Sequence, residues 1–145
     1  MSQWIKAQGK LYVGDDVVRI AISNDFILYY KSLVDKQVKL FTHLPSHGAH
    51  ITIHNPKIHG KLSPEQKKFL KESYSGRKIT FEYNNDVIEG GKTKKTFRNW
   101  YMNVRSITAE AICKYLKNDT GKGLHITICN TKGGERPYIW MKKSN

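Results

Sequence analysis

Two stretches of this 145-residue chain are near copies of one another. Gly48-Ala49-His50-Ile51-Thr52-Ile53-His54-Asn55-Pro56-Lys57 and Gly123-Leu124-His125-Ile126-Thr127-Ile128-Cys129-Asn130-Thr131-Lys132 both read Gly-x-His-Ile-Thr-Ile-x-Asn-x-Lys. Each is a β-branched run alternating with period 2, bounded by Gly before it and Asn after it, which predicts a strand. Successive side chains of a strand point to opposite faces, so Ile51 and Ile53 share one face and His50 and Thr52 the other. Ile126 and Ile128 oppose His125 and Thr127 in the same way. Each strand buries its isoleucines and presents an imidazole and a hydroxyl. Set side by side, the two strands make a pocket of two histidines and two threonines.

The remaining elements are arranged around these copies. Residues 10–14 predict a short strand stopped by Gly14 and Asp15-Asp16, and residues 17–22 fit either a strand or a lead-in to the next element. After Ser23 or Asn24, either of which can cap a helix, Phe26, Ile27, Tyr30, Leu33 and Val34 recur at helical spacing, which predicts a helix over about 24–38. Ser63-Pro64-Glu65-Gln66 is a capping box with Pro at the first helical position, opening a helix that ends before Gly76. Residues 77–83 alternate as a strand, 84–96 read as a hairpin tip or basic loop, and 97–104 return as a strand with Trp100 and Tyr101. Ser106 caps a helix that buries Ala109 and Ile112, and 138–141 make a last strand. A helix precedes each motif strand. The expectation is one α+β domain over residues 1–145, pseudo-duplicated, with one motif strand per half.

Lys and Arg number 25 against 12 Asp and Glu, a net charge of +13. Such a balance favours a polyanionic partner: nucleic acid, nucleotide or an anionic surface. Two cysteines, Cys113 and Cys129, supply no disulfide framework and suit a reducing compartment. The first residues lack a secretory apolar core, and no apolar run approaches the ~20 residues of a membrane helix. The expectation is a soluble cytoplasmic protein, in the host-cell cytoplasm if viral, with no membrane contact and no obligate protein partner.

The two His-Ile-Thr-Ile runs, with matching Gly, Asn and Lys flanks, resemble the paired motifs of the 2H phosphoesterase superfamily. The resemblance covers most of the chain in layout and only the two strands in specific residues. It implies the two-lobed 2H fold: mainly antiparallel sheets, helices outside and a central cleft flanked by the motif strands. It also implies metal-independent phosphodiester cleavage without a cofactor, with His50 and His125 as general base and acid and Thr52 and Thr127 as phosphate ligands. Chain size, the early helix and the lysine-rich character look most like the phage anti-CBASS phosphodiesterases. Those hydrolases open 3′–5′ bonds of cyclic di- and trinucleotide second messengers such as cGAMP and so evade host defence. In that group a ribose 2′-hydroxyl attacks the adjacent phosphodiester, and a tyrosine of the N-terminal strand lies near the nucleotide, as Tyr12 would here.

Two histidines suit this chemistry because their ordinary pKa near 6.5 lets one accept and one donate a proton near neutrality. Threonine hydroxyls can donate to the non-bridging oxygens, where charge develops. Tyr12, Trp100, Tyr101, Tyr138 and Trp140 are candidate stacking partners for a base, Tyr12 foremost, and Lys92, with Lys94 and Lys95, a candidate anion contact. A metal site is the rival reading, since His50, His54, His125 and Cys129 fall on one face of ideal strands. Positions four apart on a strand are separated by roughly 13 Å, too far to share an ion bound at about 2.0–2.3 Å. No metal is therefore expected. Gly90-Gly91-Lys92-Thr93 lacks the spaced first glycine of a phosphate-binding loop. Two further readings stand beside the cyclic-nucleotide phosphodiesterase. One is RNA end processing at 2′,3′-cyclic phosphates or 2′–5′ linkages, with RNA as partner. The other is a non-catalytic nucleotide-sequestering binder.

Overall fold

A computed structural model describes residues 3–39, 41–45, 47–90, 98–118 and 123–131. In chain order these form β1 (Trp4–Val13), β2 (Val18–Ala21), α1 (Asn24–Val38), β3 (His50–His54), α2 (Pro56–His59), α3 (Pro64–Ser73), β4 (Lys78–Asn84), β5 (Ile88–Gly90), β6 (Asn99–Arg105), α4 (Ile107–Leu116) and β7 (Leu124–Asn130). Strands pair antiparallel in the order β4-β1-β2-β3-β7-β6-β5, and β4 also pairs with β6. This last pairing, Glu82 with Arg105 and Tyr83 with Val104, joins the sheet to itself. Six strands close a barrel, and β5 extends it beside β6.

This closure overturns the expected two-lobed 2H fold with helices outside a central cleft. The strands form one closed antiparallel sheet, in which β1 pairs β4 on one side of the barrel while β3 pairs β7 on the other. Among the described residues, the ring of six strands has no break at which two lobes would part, and closure satisfies backbone groups that an edge would expose. Within the single barrel, strand–strand–helix–strand occurs twice, as β1-β2-α1-β3 and as β4-β6-α4-β7 with β5 inserted. The helices interlock the halves: α1 packs on β7, and α4 packs on β3 and β4.

Local chemistry fixes these elements. Ser23 Oγ accepts from Asp25 N at the start of α1. In α3, Ser63 and Gln66 cap each other's backbone N–H groups. Ser106 Oγ accepts from Ala109 N while Glu110 accepts from Ser106 N. Strand β1 is longer than the predicted 10–14, because Trp4 to Lys10 pair with β4 although that stretch shows little apolar alternation. Every wall strand sends residues into one core that it shares with the helices: Leu11, Ile20, Ile51, Phe81, Met102 and Ile126 are each at most 2% exposed and pack in the same cluster as Ile27, Leu70 and Ile112. The predicted strand over 138–141, Trp140 and the basic residues Lys92, Lys94 and Lys95 lie outside the described residues. Among the described residues, no helix is long and apolar enough to cross a membrane.

Truncating one of these wall residues tests the barrel as a cooperative unit. Ile51→Ala should cost about 2–5 kcal/mol, the range for emptying a fully buried isoleucine site. Urea denaturation should show a lower midpoint with an unchanged slope; an unchanged midpoint would contradict a closely packed core at Ile51.

Candidate active site

Strands β3 and β7 meet at Ile51 and Ile126, which pair directly and are both fully buried. Antiparallel register then sets His50 across from Thr127 and Thr52 across from His125. All four side chains lie on the face opposite the isoleucines, half-buried except for the exposed His125. The two histidines occupy one diagonal and the two threonines the other. Diagonal neighbours on one face lie roughly 7–8 Å apart, enough to place a phosphate between the imidazoles. The four residues singled out from the two copies are thus brought together.

The register extends this patch across five strands. One row runs Tyr12, Arg19, Thr52, His125 and Asn103; the next runs Lys10, Ala21, His50, Thr127 and Tyr101. A local two-fold through the Ile51–Ile126 pair exchanges the rows, placing Arg19 and Tyr101 in equivalent positions beside the threonines. The Arg19 guanidinium lies 5.0 Å from the Tyr12 ring centre. The rings of Tyr101 and His125 are 5.5 Å apart at 67°, a T-shaped arrangement. Each tyrosine sits over a glycine. A Cβ on Gly14 would come within 2.9 Å of the Tyr12 ring, and one on Gly90 within 2.8 Å of the Tyr101 ring.

Both copies carry a β-bulge at the same position. Between Val18↔His54 and Arg19↔Thr52 the register shifts by one, leaving Ile53 unpaired; between Trp100↔Cys129 and Tyr101↔Thr127 it leaves Ile128 unpaired. The bulge turns the following residues inward, so His54 is 3% exposed and Cys129 fully buried. The sequence reading that set His54 and Cys129 on the face of His50 and His125 is corrected by this bulge. His54 Nε2 lies 2.7 Å from the Gly60 carbonyl and must donate to it, and Asn118 Nδ2 then donates to Nδ1 at 3.1 Å. Its ring nitrogens are both occupied in structure. Burial pushes the Cys129 thiol up to about 11, which disfavours the thiolate form.

Of the stacking candidates, Tyr12 is exposed on the site face, while Trp100 is 5% exposed beneath Arg98 at 4.9 Å. Trp100 shares the parity of the buried Met102 and Val104, a signal present in the sequence, and the outward position belongs to Tyr101. Tyr101 is among the stacking candidates, and Arg19 is the site residue that sequence reasoning did not single out. An open groove of about 680 Å³ also exists, lined by Lys6, Thr80, Glu82, Arg105 and Ile107 among others. It lies by the β1–β4–β6 side of the barrel and carries no histidine, and its Arg105 is paired with Glu82.

The two histidines differ in setting. His50 Nδ1 is 2.8 Å from the Gly48 carbonyl, which can only accept, so Nδ1–H donates and the neutral ring keeps its lone pair on Nε2. Burial holds the imidazole below its ordinary value of 6.5, and the charges of Arg19, His47 and His125 push the same way against the Gly48 bond. Comparison of the chain with protein-family models, with curated proteins and with solved structures finds no match.

A ¹³C or ¹⁵N titration of the imidazoles should therefore find His50 half-protonated below pH 6.5. A lowered folded value means the unfolded chain binds more protons in that window, so this group's contribution to stability falls as pH drops below 6.5. A His50 midpoint at or above 6.5 would contradict the assignment.

Proposed function

We propose that this protein is a phosphodiesterase that cleaves 3′–5′ bonds of cyclic di- and trinucleotides by two-histidine chemistry, with His50 as the first-step base and His125 as the acid. The observation carrying this reading is the diagonal of two histidines interleaved with two threonines across one pair of strands. The fixed tautomer of His50, with its lone pair on Nε2, suits it to accept a proton. His125, on the opposite corner and exposed, takes the complementary role.

In the first step His50 Nε2 removes the proton of a ribose 2′-hydroxyl. The 2′-oxygen forms a bond to phosphorus as the bond from phosphorus to the 5′-oxygen breaks. His125 delivers a proton to that leaving oxygen, and the product is a 2′,3′-cyclic phosphate. Hydrolysis reverses the roles: His125 takes a proton from water, the water oxygen bonds to phosphorus, and His50 returns its proton to the departing 2′-oxygen, leaving a 3′-phosphate. Thr52 and Thr127 donate to the non-bridging oxygens through both steps. The excess of 25 basic over 12 acidic residues suits a polyanion, and two free cysteines suit a reducing cytoplasm.

Purified protein should open 3′,3′-cyclic dinucleotides in excess EDTA, with linear phosphorylated products read by mass. His50→Ala and His125→Ala should each lower turnover about 10²–10⁴-fold, the usual contribution of one general acid or base. Thr52→Val or Thr127→Val should lower it about 10²–10³-fold. Full activity in both histidine variants would overturn the reading, and turnover of RNA 2′,3′-cyclic ends alone would move it to RNA end processing.

A further inference from the structure

Three described arginines lie over aromatic rings: Arg98 over Trp100, Arg105 over Trp4 and Arg19 over Tyr12. Arg98 and Arg105 also bind glutamates, Glu89 and Glu82, each at 2.8 Å. Arg19 is half-buried, and among the described residues no carboxylate lies within ion-pair distance of it. A guanidinium partly withdrawn from water without a counter-charge favours an anion beside it. Its register fixes where that anion would sit: Arg19 pairs with Thr52, next to the histidine–threonine diamond and on the same face. Gly14 leaves the space in which the Tyr12 ring lies, and that ring supports the guanidinium.

We propose, on the phosphodiesterase reading above, that Arg19 is a third substrate-anchoring residue that binds a non-bridging phosphate oxygen beside Thr52, with Tyr12 as the positioning residue that holds it. Tyr12 then acts through Arg19 rather than as a free stacking platform, since the guanidinium covers one side of its ring. The equivalent position in the other half is Tyr101, which carries no charge. Among the described residues of the two rows, positive charge comes from the β1–β2 side, at Arg19 and Lys10, so the diester has one favoured direction in an otherwise two-fold site, with His50 nearer the cation.

The test is calorimetric titration of 3′,3′-cyclic GMP–AMP in EDTA into inactive His125→Ala protein, with and without changes at Arg19, over a range of salt. Arg19→Gln should weaken binding about 10- to 100-fold, the loss of one charge-assisted contact to phosphate. It should also reduce the slope of log affinity against log salt by about one phosphate contact, which a merely structural role would not do. Arg19→Lys should keep the slope with intermediate affinity, and serves where the glutamine variant fails to fold. Tyr12→Leu should weaken binding while Tyr12→Phe restores it. Unchanged affinity and slope in Arg19→Gln, with wild-type turnover intact, overturns the anchor and leaves the reaction standing. Binding that depends on Arg19 without any wild-type turnover supports the anchor and overturns the phosphodiesterase reading. Failure of this ligand and of inorganic phosphate to bind overturns both.

Discussion

The pairing of Ile51 with Ile126 is the contact on which the rest of this structure depends. It is hydrophobic on one face and chemical on the other. On the buried face, two isoleucines join the halves of the barrel within the core shared with the helices. On the opposite face, the same register sets each histidine across from the other strand's threonine. A slip of one residue would turn the histidines into the apolar interior and the isoleucines out to water. The cost of that slip falls on the core, so the packing energy of the barrel also enforces the geometry of the site. No residue of the patch has to supply stability in order to be held in place.

The repeated bulge sharpens this arrangement. An unbroken strand His50-Ile51-Thr52-Ile53-His54 would place three polar side chains outward in a line. By leaving Ile53 unpaired, β3 keeps only His50 and Thr52 outside and uses His54 to tie the strand end to Gly60 and Asn118. Strand β7 does the same with Ile128 and buries Cys129. The bulges therefore delimit the site to two residues per strand. They also let each motif strand end inside the protein, with Asn118 bonding the Ile53 carbonyl and the backbones of His43 and Asn130 bonding each other.

Much of the local structure was legible because it rests on short-range chemistry. Ser23, the Ser63–Gln66 box and Ser106 mark three helix starts, and the β-branched alternation marks β3 and β7. The architecture was not, because closure depends on contacts far apart in sequence: two residue pairs join β4 to β6, and a weakly patterned stretch of β1 covers β4. A helix before each motif strand fits two lobes as well as one barrel. The histidine–threonine quartet was legible from duplication. The bulges were not, since the residues on either side of Ile53 and Ile128 keep a perfect period of two. Arg19 escaped notice for a related reason: its importance comes from lying across from Thr52, and register is invisible in an isolated strand.

A two-fold scaffold poses a problem for any reaction with distinct acid and base, because symmetric histidines would compete for the same proton. Here the scaffold is nearly symmetric and its neighbours are not. The Gly48 carbonyl fixes the tautomer of the neutral His50 ring, burial disfavours its protonation, and Arg19 adds positive charge beside it. His125 stands exposed against Tyr101. Since protonating one imidazole disfavours protonating the other, a bias at His50 passes to the pair as a whole. In the proposed reaction, the division of labour would thus come from the residues flanking the duplicated motif, while the motif supplies reach and alignment.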